Sequence, residues 1–388
     1  MRKILLVIII LITLTGCYNY RELNDLAIVS AISVSKVNEE YNIVVQVVKP
    51  KKEQDTSNIN QPNFITFKSK GESLQEAFRL LIKESPKKIY GAQMQVLLLD
   101  ESVAKDDLSD VLDFFAREPE VRNEFYVLVS KNDNVLEVLT PLDNISSQNI
   151  MESLEANSKF LGYANLLTFN DLLSYYQNER IEIALPSIHL TGNIDEGDED
   201  ENIDESMVDT SVVLGPLAIF KENKLIGYLS EEESLAYNII RDNITNALIT
   251  NKYGDDKYIV NEIIKSKTGL EVDAKNSKIT ITIKGNAAIK EVNYNNINLK
   301  DEKKVKKIED DLNKEVEKLV KSSIKNITKK YNSDIFGFEN LFYKEDYQYY
   351  KKIKDEWNDK IFQNLKIEVD SKFEIVEQGN VLGGIKDE

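Results

Sequence analysis

The chain has 388 residues, one Cys, one His and a formal net charge of −17, from 66 acidic and 49 basic side chains. This length predicts two or three domains, each able to bury its own core. The acidic excess argues against a nucleic-acid partner, which requires a basic face. A single Cys excludes an internal disulfide partner and a cysteine-based zinc site.

The first 17 residues predict a secretory signal that ends at a lipid attachment site. Two basic residues precede the apolar stretch 4–14, whose 11 residues form a helix of only roughly 16 Å, too short to cross a bilayer. The stretch then closes on a sequence that resembles a bacterial lipobox: Leu14, Thr15, Gly16 and Cys17. Cleavage would remove the signal peptide 1–16 and leave Cys17 as the N-palmitoyl, S-diacylglycerol cysteine. The alternative is an ordinary buried Cys after an ordinary signal.

We expect residues 17–26 to form a lipid-attached tether. Residues 27–194 should form an N-terminal α/β region of one or two subdomains. Ser73 and Glu76 have the spacing of a capping box, which starts a helix that stops before Pro86. Apolar periodicity predicts a hairpin from 27–35 and 41–48, strands at 64–70, 93–99 and 125–130, and a helix at 103–117.

An acidic block follows this region. Residues 195–205 carry eight acidic side chains and one apolar one. Because like charges repel one another and stay solvated, we expect residues 195–209 to form an acidic linker or loop. A cation-binding loop is the alternative, but the spacing lacks the Gly and Glu positions of an EF-hand, and we expect no metal site.

The remainder, 210–388, predicts a C-terminal α/β domain. Ser230 and Glu233 form a second capping box, and 278–284 alternates with Ile on one face. The pattern further predicts a hairpin from 212–220 and 225–229, amphipathic helices at 301–330 and 347–365, and a last strand at 365–376. The fold class is therefore α/β (α+β): a multi-domain chain of mixed β-sheets flanked by α-helices.

No residue pattern predicts catalysis. The phosphate-loop, dinucleotide and nucleophile-elbow motifs are absent from the sequence. His189 stands without a second His or a Cys nearby, which favours a structural or surface role. The Lys-rich stretches 303–307 and 325–330 favour a solvated helix face. The aromatic group around Trp357 favours core packing over a recognition surface: Tyr347, Tyr349, Tyr350 and Trp357. We expect no catalytic residues and no cofactor.

Several segments in order resemble the Ger(x)C family of spore germination lipoproteins, the C subunits of GerA-type germinant receptors. Cys17 is followed by Tyr-Asn-Tyr-Arg-Glu-Leu-Asn, where the family reads Trp-Asp-x-Arg-Glu-Leu-Asn. The segments 117–122 and 334–337, Arg-Glu-Pro-Glu-Val-Arg and Asp-Ile-Phe-Gly, also resemble family signatures. Tyr18 and Tyr20 depart from the common pattern, and the acidic block is longer than usual.

The resemblance implies a non-enzymatic subunit of a nutrient receptor, with three α/β domains. It implies a location on the outer surface of the spore inner membrane, held there by the lipid anchor. Its partners would be the integral-membrane A and B subunits of the same receptor. Two other hypotheses stay open: a solute-binding lipoprotein of a transport system, and a surface hydrolase.

Replacing Cys17 tests the anchor. We expect Cys17→Ala to leave the membrane phase on detergent partitioning, because two or more acyl chains give stable anchoring and their removal abolishes it. A variant that stays membrane-bound, with its precursor processed normally, contradicts the lipidation site.

Overall fold

The computed structural model describes residues 22, 25–49, 64–131, 135, 147–192, 210–293 and 298–378, which form two β-sheets with helices. The elements around the first sheet are β1 (Leu26–Val37), β2 (Glu40–Val48), β3 (Phe64–Gly71), α1 (Leu74–Leu80), β4 (Lys88–Tyr90), β5 (Val96–Asp100), α2 (Glu101–Ala104), α3 (Ser109–Arg117), β6 (Tyr126–Ser130), α4 (Ser147–Phe160), α5 (Phe169–Gln177), β7 (Ala184–Gly192), β8 (Thr210–Lys221) and β9 (Lys224–Tyr228). Those around the second are α6 (Glu231–Ile240), β10 (Ala247–Lys252), β11 (Tyr258–Asp273), β12 (Lys278–Asn293), α7 (Glu302–Tyr331), α8 (Phe338–Glu345), α9 (Tyr347–Ile353) and β13 (Lys366–Glu377).

The first sheet has nine strands, in the order β3-β2-β1-β5-β6-β7-β8-β9, with β4 also beside β1. Its centre is parallel, from β1 through β5 and β6 to β7, and antiparallel strands lie on both sides. All five residues of β5 are buried, as a central parallel strand covered on both faces requires. The predicted hairpin of β1 and β2 forms, and Asn38 and Glu39 turn it with φ of 52° and 66°.

The hairpin of β8 and β9 belongs to the first sheet, although it follows the acidic block in sequence. β8 pairs antiparallel with β7 from Ala184↔Ile219 to Gly192↔Thr210. The acidic block lies outside the described residues, so the boundary at 195–209 stays a prediction.

The second sheet has the order β10-β11-β12-β13. The alternation seen in the sequence places Ile279, Ile281 and Ile283 fully inside, each 0% exposed. β13 lies parallel to β12, and the helices α7, α8 and α9 form the connection between them. The fold class is thus confirmed as mixed sheets with helices, in at least two structural regions; the count of three domains stays a prediction.

The long helix α7 covers the free edge of β13. The side chains of Glu309, Asn313 and Glu317 accept the backbone N–H groups of Ile375 (2.9 Å), Phe373 (2.7 Å) and Ser371 (3.3 Å), respectively. The accepting side chains are four residues apart on the helix, a rise of about 6.0 Å, and the donors are two residues apart on the strand, a rise of about 6.6 Å. Because these two spacings nearly match, all three hydrogen bonds can form together. Side chains of a helix therefore occupy the edge N–H groups with which another strand could otherwise pair.

The helix expected at 347–365 is wrong in part. α9 ends at Ile353, and a 3₁₀ turn, a π-turn over Trp357–Ile361 and a second 3₁₀ turn follow. In an α-helix, residues five apart point about 140° away from each other. The wider π-turn brings Trp357 and Phe362 to one side, where both are buried with stacked rings 6.3 Å apart.

Helix starts follow the capping predictions to different degrees. Ser230 and Glu233 form the full capping box at α6. The Ser73 hydroxyl accepts the N–H of Glu76, but the Glu76 carboxylate accepts the N–H of Glu72, one residue before Ser73, so the box is incomplete. The helix expected at 103–117 is two helices, α2 and α3.

Gly285 allows the close approach of three strands. It lies on β12 opposite Ser266, close to a bulge of β11, and a Cβ added there would meet the Lys265 carbonyl oxygen and lie 2.6 Å from the Phe373 ring. We expect Gly285→Ala to lower the free energy of unfolding by at least ~2 kcal/mol in urea denaturation, since backbone cannot yield. Gly269→Ala on the paired strand, where a Cβ meets nothing within 4 Å, is the matched control. Equal stability of the two variants contradicts this packing.

Candidate functional site

The end of α7 and the segment after it are bonded to the first sheet. The Tyr331 hydroxyl donates to the Tyr228 carbonyl (2.5 Å), and the Ser333 hydroxyl donates to the Phe220 carbonyl (2.6 Å). The backbone N–H of Glu182 donates to the Asp334 carbonyl at 3.1 Å. We call this contact between Tyr331–Gly337 and the first sheet the junction.

Asp334 organises the junction. Its carboxylate is 2% exposed and accepts three backbone N–H groups, those of Gly337 (3.0 Å), Phe338 (3.0 Å) and Glu339 (2.7 Å). It thereby satisfies the free N–H groups at the start of α8. Gly337 has a φ of 75°, and a Cβ there would lie 2.8 Å from the Ile181 side chain. The turn therefore requires both an acid at 334 and a glycine at 337.

Two arginines extend the junction to the neighbouring helices. Arg241, which follows α6, donates to the Phe336 carbonyl (3.1 Å) and to the Tyr175 hydroxyl of α5 (3.0 Å). Arg180, which precedes β7, stacks on the Tyr343 ring of α8 at 4.1 Å from its centroid. Each arginine thus connects elements of the two sheets.

Two carboxyl groups of the junction are shifted toward neutrality. Burial raises the pKa of Asp334 to about 7, against the opposing effect of the backbone N–H groups that it accepts. Burial also raises the pKa of Glu182 to about 7; its carboxylate accepts the N–H of Glu222 (3.0 Å). Both groups are occupied by backbone donors, which suits a structural role.

The remaining candidates stay apart from one another. His189 is half-buried on β7 opposite Val213, and burial lowers its pKa, with the charge of Lys131 adding to the shift. Tyr350 and Trp357 are buried, as core packing predicts, whereas Tyr347 is 47% exposed. Leu14, Thr15, Gly16, Cys17 and the acidic block lie outside the described residues.

The described part of the chain holds neither a metal-ligand cluster nor a helix that could span a membrane. Across residues 25–49, 64–131, 147–192, 210–293 and 298–378, no three His, Cys, Asp or Glu side chains are grouped to hold a metal ion. Among the helices in these same ranges, none is both long and apolar enough to span a membrane.

Some features of the site were missed in the sequence. Thr168 and Asp171 form a complete capping box at α5, and the Thr-x-x-Asp spacing was available as a signal. The contact of Asp334 with Glu182 joins residues far apart in sequence, and no local pattern predicts it.

The fold and the junction define a two-sheet α/β protein whose halves are held together by buried polar contacts. Two family models match it in succession: "Spore germination protein N-terminal domain" over residues 19–190, and "Spore germination B3/GerAC like, C-terminal" over 216–379. The chain belongs to the GerAC family of spore germination proteins, which confirms the resemblance seen in the sequence. This is a family of germination receptor C subunits that are not known enzymes.

Curated relatives cover nearly the full chain. Spore germination protein KC of Bacillus subtilis (strain 168) is 27% identical over 95% of this chain and 94% of its own. Spore germination protein B3 of the same organism is 24% identical over 96% of each. The crystal structure of the GerBC protein is similar in fold, with a TM-score of 0.57 and 18% identity over 89% of this chain and 96% of that one.

The raised pKa of Glu182 predicts a pH-dependent stability. Since the folded state holds this proton more tightly than the unfolded state, its contribution is present at low pH and is lost as the pH rises through about 7. We expect wild type to gain about 1 kcal/mol more than Glu182→Gln between pH 8 and pH 6 in urea unfolding. The exposed neighbour offers a control, Glu179→Gln, which should keep the wild-type slope. Parallel slopes for wild type and Glu182→Gln contradict the assignment.

Proposed function

We propose that this chain is the lipid-anchored, non-enzymatic subunit of a nutrient germinant receptor, and that it serves germination by associating with the polytopic A and B subunits. The observation that carries this proposal is the ordered match of both family models, together with relatives aligned over nearly their whole length. Relatives that keep both regions in the same order have the same architecture, and we expect them to have the same role.

The proposed anchor is Cys17, carrying N-palmitoyl and S-diacylglycerol groups, on the outer surface of the spore inner membrane. Eight residues lie between it and Leu26, where β1 begins. Extended, they span at most roughly 30 Å. Because β1 belongs to the first sheet, so short a link would hold that sheet near the bilayer.

The non-enzymatic role is supported by how the polar residues are used. The buried carboxylates of the junction accept backbone N–H groups, and such groups hold structure instead of activating a substrate. The solute-binding alternative predicts two similar lobes around a cleft. The two sheets have nine and four strands in unlike orders, which favours the receptor subunit.

Affinity purification of the tagged chain from spore membranes tests the assignment. We expect the two polytopic subunits to co-purify, and deletion of the gene to leave sporulation intact while it abolishes the response to one set of germinants. The matched control is the Cys17→Ala chain, which should restore the response poorly because it leaves the membrane.

Normal germination of the deletion strain with every nutrient, in a background without redundant homologues, contradicts the receptor role. Reproducible thermal stabilisation of the isolated chain by one small solute, with no co-purifying membrane protein, supports the transport alternative instead.

A further inference from the structure

A groove of about 500 Å³ runs beside the second half of α7. One wall is the helix, which contributes Lys321, Lys325 and Lys329. These three exposed lysines are spaced by four residues and form a row of roughly 12 Å. The opposite wall is the segment from the π-turn to the start of β13, with Phe362 and Ile367.

The row is basic in a strongly acidic protein. From 319 to 333 the sequence has four lysines and no acidic residue, although the whole chain carries −17. Lys321 pairs with Glu317 at 3.4 Å. Lys325 and Lys329 have no ion-pair partner among the described residues, so their charges are available to an external anion.

The floor and far wall of the groove are mainly apolar, with Thr328 and Gln363 as their polar members. Ile324, Phe338 and Phe362 are buried beneath it, and Leu365 and Ile367 are half-buried along its side. The lining therefore combines an apolar trough with positive charges along one rim. This is the arrangement that an anionic amphiphile requires: a charged head at the rim and a hydrocarbon chain in the trough.

A lipid fits this groove better than an acidic peptide. A peptide brings backbone N–H and C=O groups that need partners, and a strand edge would supply them. Just beyond the groove, the outward N–H groups of β13 at Ser371, Phe373 and Ile375 are already taken by α7, which leaves a peptide only the short start of the strand to pair with. A hydrocarbon chain needs no such partners, and Lys suits a phosphate head as a compact point charge.

We propose that the groove between α7 and the start of β13 binds an anionic phospholipid, with Lys325 and Lys329 at the phosphate and the half-buried Leu365 and Ile367 against the acyl chain. It gives the chain a membrane contact beyond the proposed lipid anchor. It also selects the face of an otherwise acidic protein that meets an anionic bilayer.

Vesicle flotation of residues 18–388, which keep every described residue and both apolar cores, tests the groove without the anchor. We expect flotation with vesicles of equimolar phosphatidylglycerol and phosphatidylcholine, little with phosphatidylcholine alone, and weakening at high salt. The double variant Lys325→Gln, Lys329→Gln should lower the partition coefficient about tenfold or more. Ile367→Ser should lower it about threefold, through lost apolar contact.

The matched control is Lys314→Gln with Lys318→Gln, which removes the same charge from the same helix outside the groove and should bind like wild type. Equal loss in both double variants means a diffuse charge effect and overturns the site. Displacement by millimolar inorganic phosphate or by a polyglutamate peptide overturns the lipid as occupant. Circular dichroism confirms that each variant is folded. Because the tested chain carries no anchor, its failure to float leaves the germination role to be judged by its own experiment.

Discussion

The buried carboxylate of Asp334 is the constraint on which the joining of the two sheets depends. It begins α8 through three backbone N–H groups, and its own carbonyl receives the N–H of Glu182 from the first sheet. A charge out of water is costly unless it is fully hydrogen-bonded. The same residue therefore fixes a helix start and helps to hold the segment that contacts the other sheet, which couples the two.

Around this point the packing is continuous. Phe336 and Phe338 stack at 5.1 Å, and both are buried in the core of the second sheet, together with residues of β8 such as Leu217 and Ile219. β8 is a strand of the first sheet, yet it contributes to the core of the second. The boundary between the two family matches has the same character: the second begins at residue 216, inside β8. Strand pairing and core packing divide the chain at different places.

Local patterns in the sequence predicted most elements, because short-range periodicity and capping are local physics. The alternation at Ile279–Ile283 and the box at Ser230 are examples in which local and tertiary preferences agree. The helix at 347–365 failed because the demand to bury Trp357 and Phe362 together overrode α-helical winding. The partner of β8 could not be predicted, since pairing with β7 spans the acidic block. The motif at 334–337 was visible as a pattern, but its long-range contacts were not.

The ladder between α7 and β13 has a mechanical consequence. Glu309, Asn313 and Glu317 engage alternate residues of the strand, so α7 cannot slide by a fraction of a turn without breaking all three bonds at once. The whole helix has 30 residues, a length of roughly 45 Å, and it continues past this edge to Tyr331 at the junction. Its side chains bond to β13 in the second sheet, and its last residue, Tyr331, bonds to the first sheet. A movement of the first sheet that keeps the bonds of Tyr331 and Ser333 intact therefore moves α7 and, through its three bonds to β13, the second sheet.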